Sequence, residues 1–179
     1  MRVDASKIEP PTDCEVVITR HLDAPASVVF EAFTKPEHLM RWFGPKGWPL
    51  TMCEMDFREG GRYRFAMTGP HGKEGAPFGG RYLEIVPNRR IVYDDSFESA
   101  HADRLVITIT FDEHQGRTTL TIRTLFPSVA SKTRHLEGGY AGGVGSSLDQ
   151  RRDVVADLLA PEHRNLNQQL TNSREGIDG

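Results

Sequence analysis

Arg151 occupies an unusual place for a guanidinium. The stretch 141–160, AGGVGSSLDQRRDVVADLLA, reads as an amphipathic helix. At about 100° per residue, Val144, Leu148, Val155, Leu158 and Leu159 share one face, while Ser146, Asp149, Gln150, Asp153 and Asp157 lie opposite. Arg151 falls inside the apolar sector, between Val155 and Leu158. A guanidinium there needs a carboxylate or carbonyl partner. It is then a candidate anchor for the acidic head of a ligand, or pairs with an internal acid such as Glu54 or Glu98. The simplest reading is that the helix phase drifts and Arg151 snorkels to water.

Other chemistry-bearing residues are sparse. Of the histidines at 21, 38, 71, 101, 114, 135 and 163, none shows the i, i+4 His spacing, Glu-flanked pair or His–carboxylate cluster of a metal site, so neither a metal nor another cofactor is expected. His135 lies just before the amphipathic helix with Tyr140 close behind, which makes this pair the weak candidate for acid–base work. Cys53 falls within a strand pattern and reads as an inert thiol, and Cys14 is too far away in sequence to suggest a disulfide framework. No G-x-S-x-G elbow and no phosphate-binding glycine loop leading into a helix is present.

Aromatic residues are the remaining signal. Trp42, Phe43 and Trp48 flank Gly44-Pro45-Lys46-Gly47 and are placed to line a cavity mouth or to cap a core. Tyr63, Phe65 and Met67 alternate along one run. Phe78, Tyr82, Tyr93 and Phe97 follow on later ones, so the set offers apolar walls with a few hydroxyls, suited to a flat apolar ligand.

These residues need a frame to hold them. Residues 15–23, EVVITRHLD, read as a strand, and Pro25 opens a short helix to residue 33. Thr34 is the expected cap of a second short helix, PEHLMRWF. From Trp48 the period changes to two, with turn signals at 59–61, 69–72, 87–89 and 113–116. Strands are predicted near 50–58, 61–68, 78–86, 90–97, 104–112 and 117–126. In the fifth of these Leu105, Ile107, Ile109 and Phe111 oppose Arg104, Thr108 and Thr110, so one sheet face is dry and one wet. Arg64 and Arg123 belong to the wet face. Residues 127–140 read as an irregular connection.

The expected class is α+β, a curved antiparallel sheet of six or seven strands against a long C-terminal helix, with two short helices after the first strand. One domain is expected over 15–160, with a flexible leader at 1–14 and a polar, frayed tail at 161–179. With 22 basic and 25 acidic residues well mixed, the chain offers no footprint for nucleic acid, and no apolar run approaches a membrane span. A cytoplasmic location follows from the lack of a signal core, and a monomer or homodimer is compatible with exposed edge strands.

Four motifs in order, DAPASVVFEAFTKPEHLMRWFGP, CEMDFREGGRYRFAM, GGRYLEIVPNRRIVY and GGVGSSLDQ, make residues 15–160 resemble the activator-of-Hsp90-ATPase-homologue-like family of the START/Bet v 1 (SRPBCC) superfamily. The resemblance implies the helix-grip fold. Where the family commonly carries Gly-Trp at the start of the last helix, this chain has Gly143-Val144, and Arg151 stands where an apolar residue is usual. It also implies three functions. A module binding an apolar or amphipathic small molecule between sheet and helix leads. A cyclase- or hydrolase-like enzyme using the same cavity is second. An Hsp90-type co-chaperone or stress-related interaction domain is third, with Hsp90 its partner.

Overall fold

The computed structural model describes residues 12–160. Seven strands, β1 (Glu15–Leu22), β2 (Leu50–Met55), β3 (Arg62–Met67), β4 (Phe78–Val86), β5 (Arg90–Phe97), β6 (Leu105–His114) and β7 (Arg117–Leu125), make one sheet. Its order is β1-β7-β6-β5-β4-β3-β2, with every neighbouring pair antiparallel. Strands β2 to β7 are a meander, and β1 returns to pair with β7. The α+β helix-grip arrangement and its seven strands are as the sequence predicts. The proposed leader and tail fall almost wholly outside the described residues.

Turn chemistry sets the register. Gln115 and Gly116, with φ of 51° and 73°, form a two-residue hairpin between β6 and β7, the loop geometry whose twist suits an antiparallel pair. From there Ile109 faces Ile122 and Phe111 faces Leu120, so both strands bury alternate residues toward the same side. Register shifts between Leu50 and Met52 and between Tyr82 and Glu84 bend the sheet at β2 and β4.

Helices α1 (Ala26–Glu31) and α2 (Pro36–Trp42) close one end of the sheet. Pro25 is the cap of α1 rather than its first residue, and Lys35, not Thr34, caps α2. The Thr34 hydroxyl instead donates back to the Glu31 carbonyl at 2.9 Å, because Pro36 takes the first helical position and sets the start of α2 one residue later.

Residues 127–140 are not irregular. Val129–Glu137 forms a helix, α3, capped by the Ser128 hydroxyl, which accepts from the Ser131 amide at 3.1 Å. Gly139, at φ 86°, breaks the chain before α4 (Tyr140–Leu159), a turn that a side chain would strain. Helix α4 buries Leu148, Val154, Val155 and Leu158, with Val144 and Leu159 half-buried at its two ends. No helix among the described residues is long and apolar enough to cross a membrane.

Candidate functional site

The sheet curves away from α4 over part of its inner face, and the space between them is a cavity of about 600 Å³. That volume lies within the roughly 300–1,000 Å³ range of small-molecule sites. Period-two alternation supplies the floor: Tyr63, Phe65 and Met67 from β3, Phe78 and Tyr82 from β4, Ile91 and Tyr93 from β5, and Leu105, Ile107 and Ile109 from β6. Val144, Ser147 and Leu148 of α4 form the roof, and Phe33, Trp42 and Phe43 close one end. Edge-to-face contacts fix the rings, with Phe43 5.5 Å from Phe65 and Tyr63 5.5 Å from Tyr93.

The opposite end is polar. Asp95 follows Tyr93 on the inner face of β5 and accepts a hydrogen bond from the Tyr63 hydroxyl at 2.8 Å. Burial pushes its carboxyl up to about 6, partly offset by that Tyr63 bond. Asp103, from the β5–β6 connection, accepts from the Ser131 hydroxyl at 2.6 Å and from Arg134 at 2.8 Å. The Ser131 bond, followed by Arg134, holds Asp103 below the ordinary carboxylate range. Burial keeps Tyr63, Tyr82 and Tyr93 as neutral phenols and pushes Tyr140 up to about 12.

His135 and Tyr140 also line this end. The His135 Nδ1 lies 2.9 Å from the Ser131 carbonyl oxygen. A carbonyl only accepts, so Nδ1 carries the proton in the neutral ring, and Nε2 is left as an acceptor. Tyr140 and Thr124 share a 2.8 Å hydroxyl bond, which ties the start of α4 to β7. Together with Arg134, which lines the same end, these groups make one pole of the cavity polar.

The raised Asp95 carboxyl carries a consequence for stability. An unfolded aspartate titrates near about 3.9, so between that pH and about 6 the folded chain holds a proton that the unfolded chain has released. This stabilisation is complete below the lower value and is lost as pH rises through the upper one. Asp95→Asn should remove the slope, and at pH 8 the variant should exceed the parent by about 1–3 kcal/mol. Urea midpoints of both proteins at pH 4.5 and pH 8 check it; equal differences at the two pH values would contradict the assignment.

Most of the predicted wall residues come together here, and two do not. Trp48 lies outside the cavity lining. Its indole packs over Gly69, where an added Cβ would meet the ring at 2.6 Å, and Lys73 Nζ sits 5.9 Å from the ring centre. It covers the β3–β4 connection rather than the cavity. Arg151 lies outside the lining as well and does not reach water: it is fully buried, and its Cζ lies 5.1 Å from the Phe33 ring centre and 5.2 Å from that of Trp42. Neither proposed acid reaches it. Glu98 holds Arg64 at 2.5 and 3.0 Å, and the predicted wet-face position of Arg64 explains that pair. Phe97 is half exposed at the polar rim.

Asp95, Asp103, Arg134 and Ser147 were not among the predicted site residues. Ile91, Tyr93, Asp95 and Phe97 alternate on one strand, so the period that selects Tyr93 also selects Asp95. Asp103 and Arg134 needed α3, whose signals were Ser128 before the helix and Gly138 after it. Burial raises the Cys53 thiol to about 11, with Glu37 adding, which keeps it protonated. Among the described residues no group of three or more His, Cys, Asp or Glu side chains is placed to hold a metal ion.

Comparison with known proteins adds a family. A family model described as activator of Hsp90 ATPase homolog 1-like protein matches residues 23–156. No curated protein matches the chain. Among solved structures, a Chromobacterium violaceum protein is 31% identical, with 80% of this chain and 98% of that chain covered at a TM-score of 0.69. An Arthrobacter aurescens protein is 26% identical over 81% of this chain and 87% of its own, with a TM-score of 0.75. A Nitrosomonas europaea protein, 23% identical over 83% and 97%, has a TM-score of 0.73 and shares the fold.

Proposed function

The chain belongs to the activator of Hsp90 ATPase homolog 1-like family, and from that premise we propose that it is a binding module whose cavity takes up an apolar or amphipathic small molecule. The observation that carries this is the cavity itself: about 600 Å³ between sheet and α4, with aliphatic and aromatic walls and polar groups gathered at one pole. A core that only needed to be stable would close such a space, since unfilled volume beside large side chains costs packing energy. The polar pole supplies orientation, as a few placed polar groups do in small-molecule sites. Titration with decan-1-ol followed by methyl NMR tests the reading. Saturable shifts at Ile107 and Ile109 are expected, and no shift at any methyl is the contrary result.

A second reading, an acid–base enzyme acting on the same ligand, is favoured by one observation. His135, with Nε2 available as a base, and Asp95, whose carboxyl burial pushes up to about 6, line the same end of the cavity. Product analysis on the titrated samples separates the two, since a binding module returns its ligand unchanged.

A further inference from the structure

Arg151 has no exposed surface, and Nε, Nη1 and Nη2 all lack a hydrogen-bond partner among the described residues. A guanidinium carries five N–H donors, and one left dry and unpaired is among the costliest arrangements in a protein interior. Its neighbours answer only part of that cost. The faces of Phe33 and Trp42 offer cation–π attraction at 5.1 and 5.2 Å. The nearest charges do not complete the site. Arg20 is a like charge, and its Nε is already bonded to Asp149 at 3.2 Å. Burial, with Arg20 adding, pulls the Arg151 guanidinium down to about 9, which leaves it a cation at neutral pH.

We propose that Arg151 is the receptor for a carboxylate, and that this carboxylate is the head of the ligand whose apolar body fills the cavity. The proposal rests on the binding-module reading. Three placements support it. Phe33 and Trp42 line the cavity and also stack on the guanidinium, so they form a screen one ring thick between ligand and cation. Ser147 and Leu148, four and three residues before Arg151 on the same side of α4, line the cavity too. Phe33 sits in the joint between α1 and α2, outside either helix, so a ligand head that reaches Arg151 has to displace a ring that no helix holds.

Charge along the cavity sets the ligand's direction. Arg134, bonded to Asp103 at 2.8 Å, answers that acid at the pole beside Tyr140 and leaves Asp95 to repel an anion there, while Arg151 lies eleven residues further along α4, about 16 Å away at about 1.5 Å per residue. A carboxylate therefore points toward α1 and α2, and the tail or a hydrogen-bond donor points toward Asp95. The fitting chemical class is an elongated apolar carboxylic acid.

Decanoate, decan-1-ol and acetate, titrated calorimetrically into the full chain and into Arg151→Met, test this. The parent should bind decanoate at least tenfold more tightly than decanol. Arg151→Met should lose that preference while its affinity for decanol stays within about twofold. Arg151→Lys, which keeps the charge but not the fork, should retain part of the preference and serves if the Met variant fails to fold. Acetate distinguishes the source: binding that depends on Arg151 and matches decanoate would keep the carboxylate receptor and assign it to small free acids. Decanol binding with no preference for decanoate in the parent, or the same preference in Arg151→Met, would overturn the receptor and leave the binding module standing. Binding of none of the three would remove both.

Discussion

Trp42→Ala should lower the unfolding free energy by about 3–5 kcal/mol, the range for deleting a large buried aromatic. Trp42 is 3% exposed and joins three parts of the molecule. Its indole N–H donates to the Ala32 carbonyl at 2.9 Å, which fixes the joint between α1 and α2. Its ring meets Phe33 at 4.9 Å and Phe43 at 5.6 Å, and one contact more reaches the guanidinium of Arg151. Truncation leaves the Ala32 carbonyl without its donor and withdraws half of the cation–π screen from a buried charge. Trp42→Phe keeps most of the ring and should cost about 1–2 kcal/mol, mainly for the lost hydrogen bond. Urea unfolding with an unchanged m-value reads both variants. A cost for the alanine variant below about 1 kcal/mol would mean that the ring is not packed as described.

Arg151→Met should move stability in the other direction, by about 1–4 kcal/mol. Methionine fills much of the volume of the arginine stem and brings no donors that need partners. The parent, by contrast, holds a guanidinium with three buried nitrogens and no hydrogen-bond partner among the described residues. Relief of that cost should outweigh the loss of contacts to Phe33 and Trp42, which together supply one favourable cation–π site. The same urea series measures it, and a loss of stability in Arg151→Met would contradict an unpaired charge. A residue that lowers stability where it sits is explained by what it binds, and the gain in the variant should come with the loss of preference for acids.

The sheet was legible because its signal is local. Leu105, Ile107, Ile109 and Phe111 alternate with polar residues, and the alternation places every one of them on the inner face. The aromatic walls followed from the same period. What was not legible depends on packing between elements distant in sequence. Arg151 was correctly placed in the apolar sector of α4, yet what packs over that sector decides whether it is wet or dry at its middle, and Phe33 from the α1–α2 joint and Trp42 from α2 make it dry. Trp48 lies close in sequence to Trp42 and Phe43, but Gly69 leaves a flat site on the β3–β4 connection that takes its ring away from the cavity. The short α3 was missed because Val129 and Leu136 are the only bulky apolar residues in 129–137 and both stay exposed, and with it went Asp103, which the helix holds at the polar pole through Ser131 and Arg134.

The account stands on a ligand occupying the space between sheet and α4, and methyl NMR of the protein titrated with decan-1-ol measures that most directly. Saturable shifts, with NOEs from the alkyl chain, are expected at Ile107, Ile109 and Leu148, which line the cavity. Leu83, 49% exposed and outside the cavity lining, should stay unmoved. Uniform weak shifts across inner and outer methyls, or none at any ratio of alcohol to protein, would contradict it.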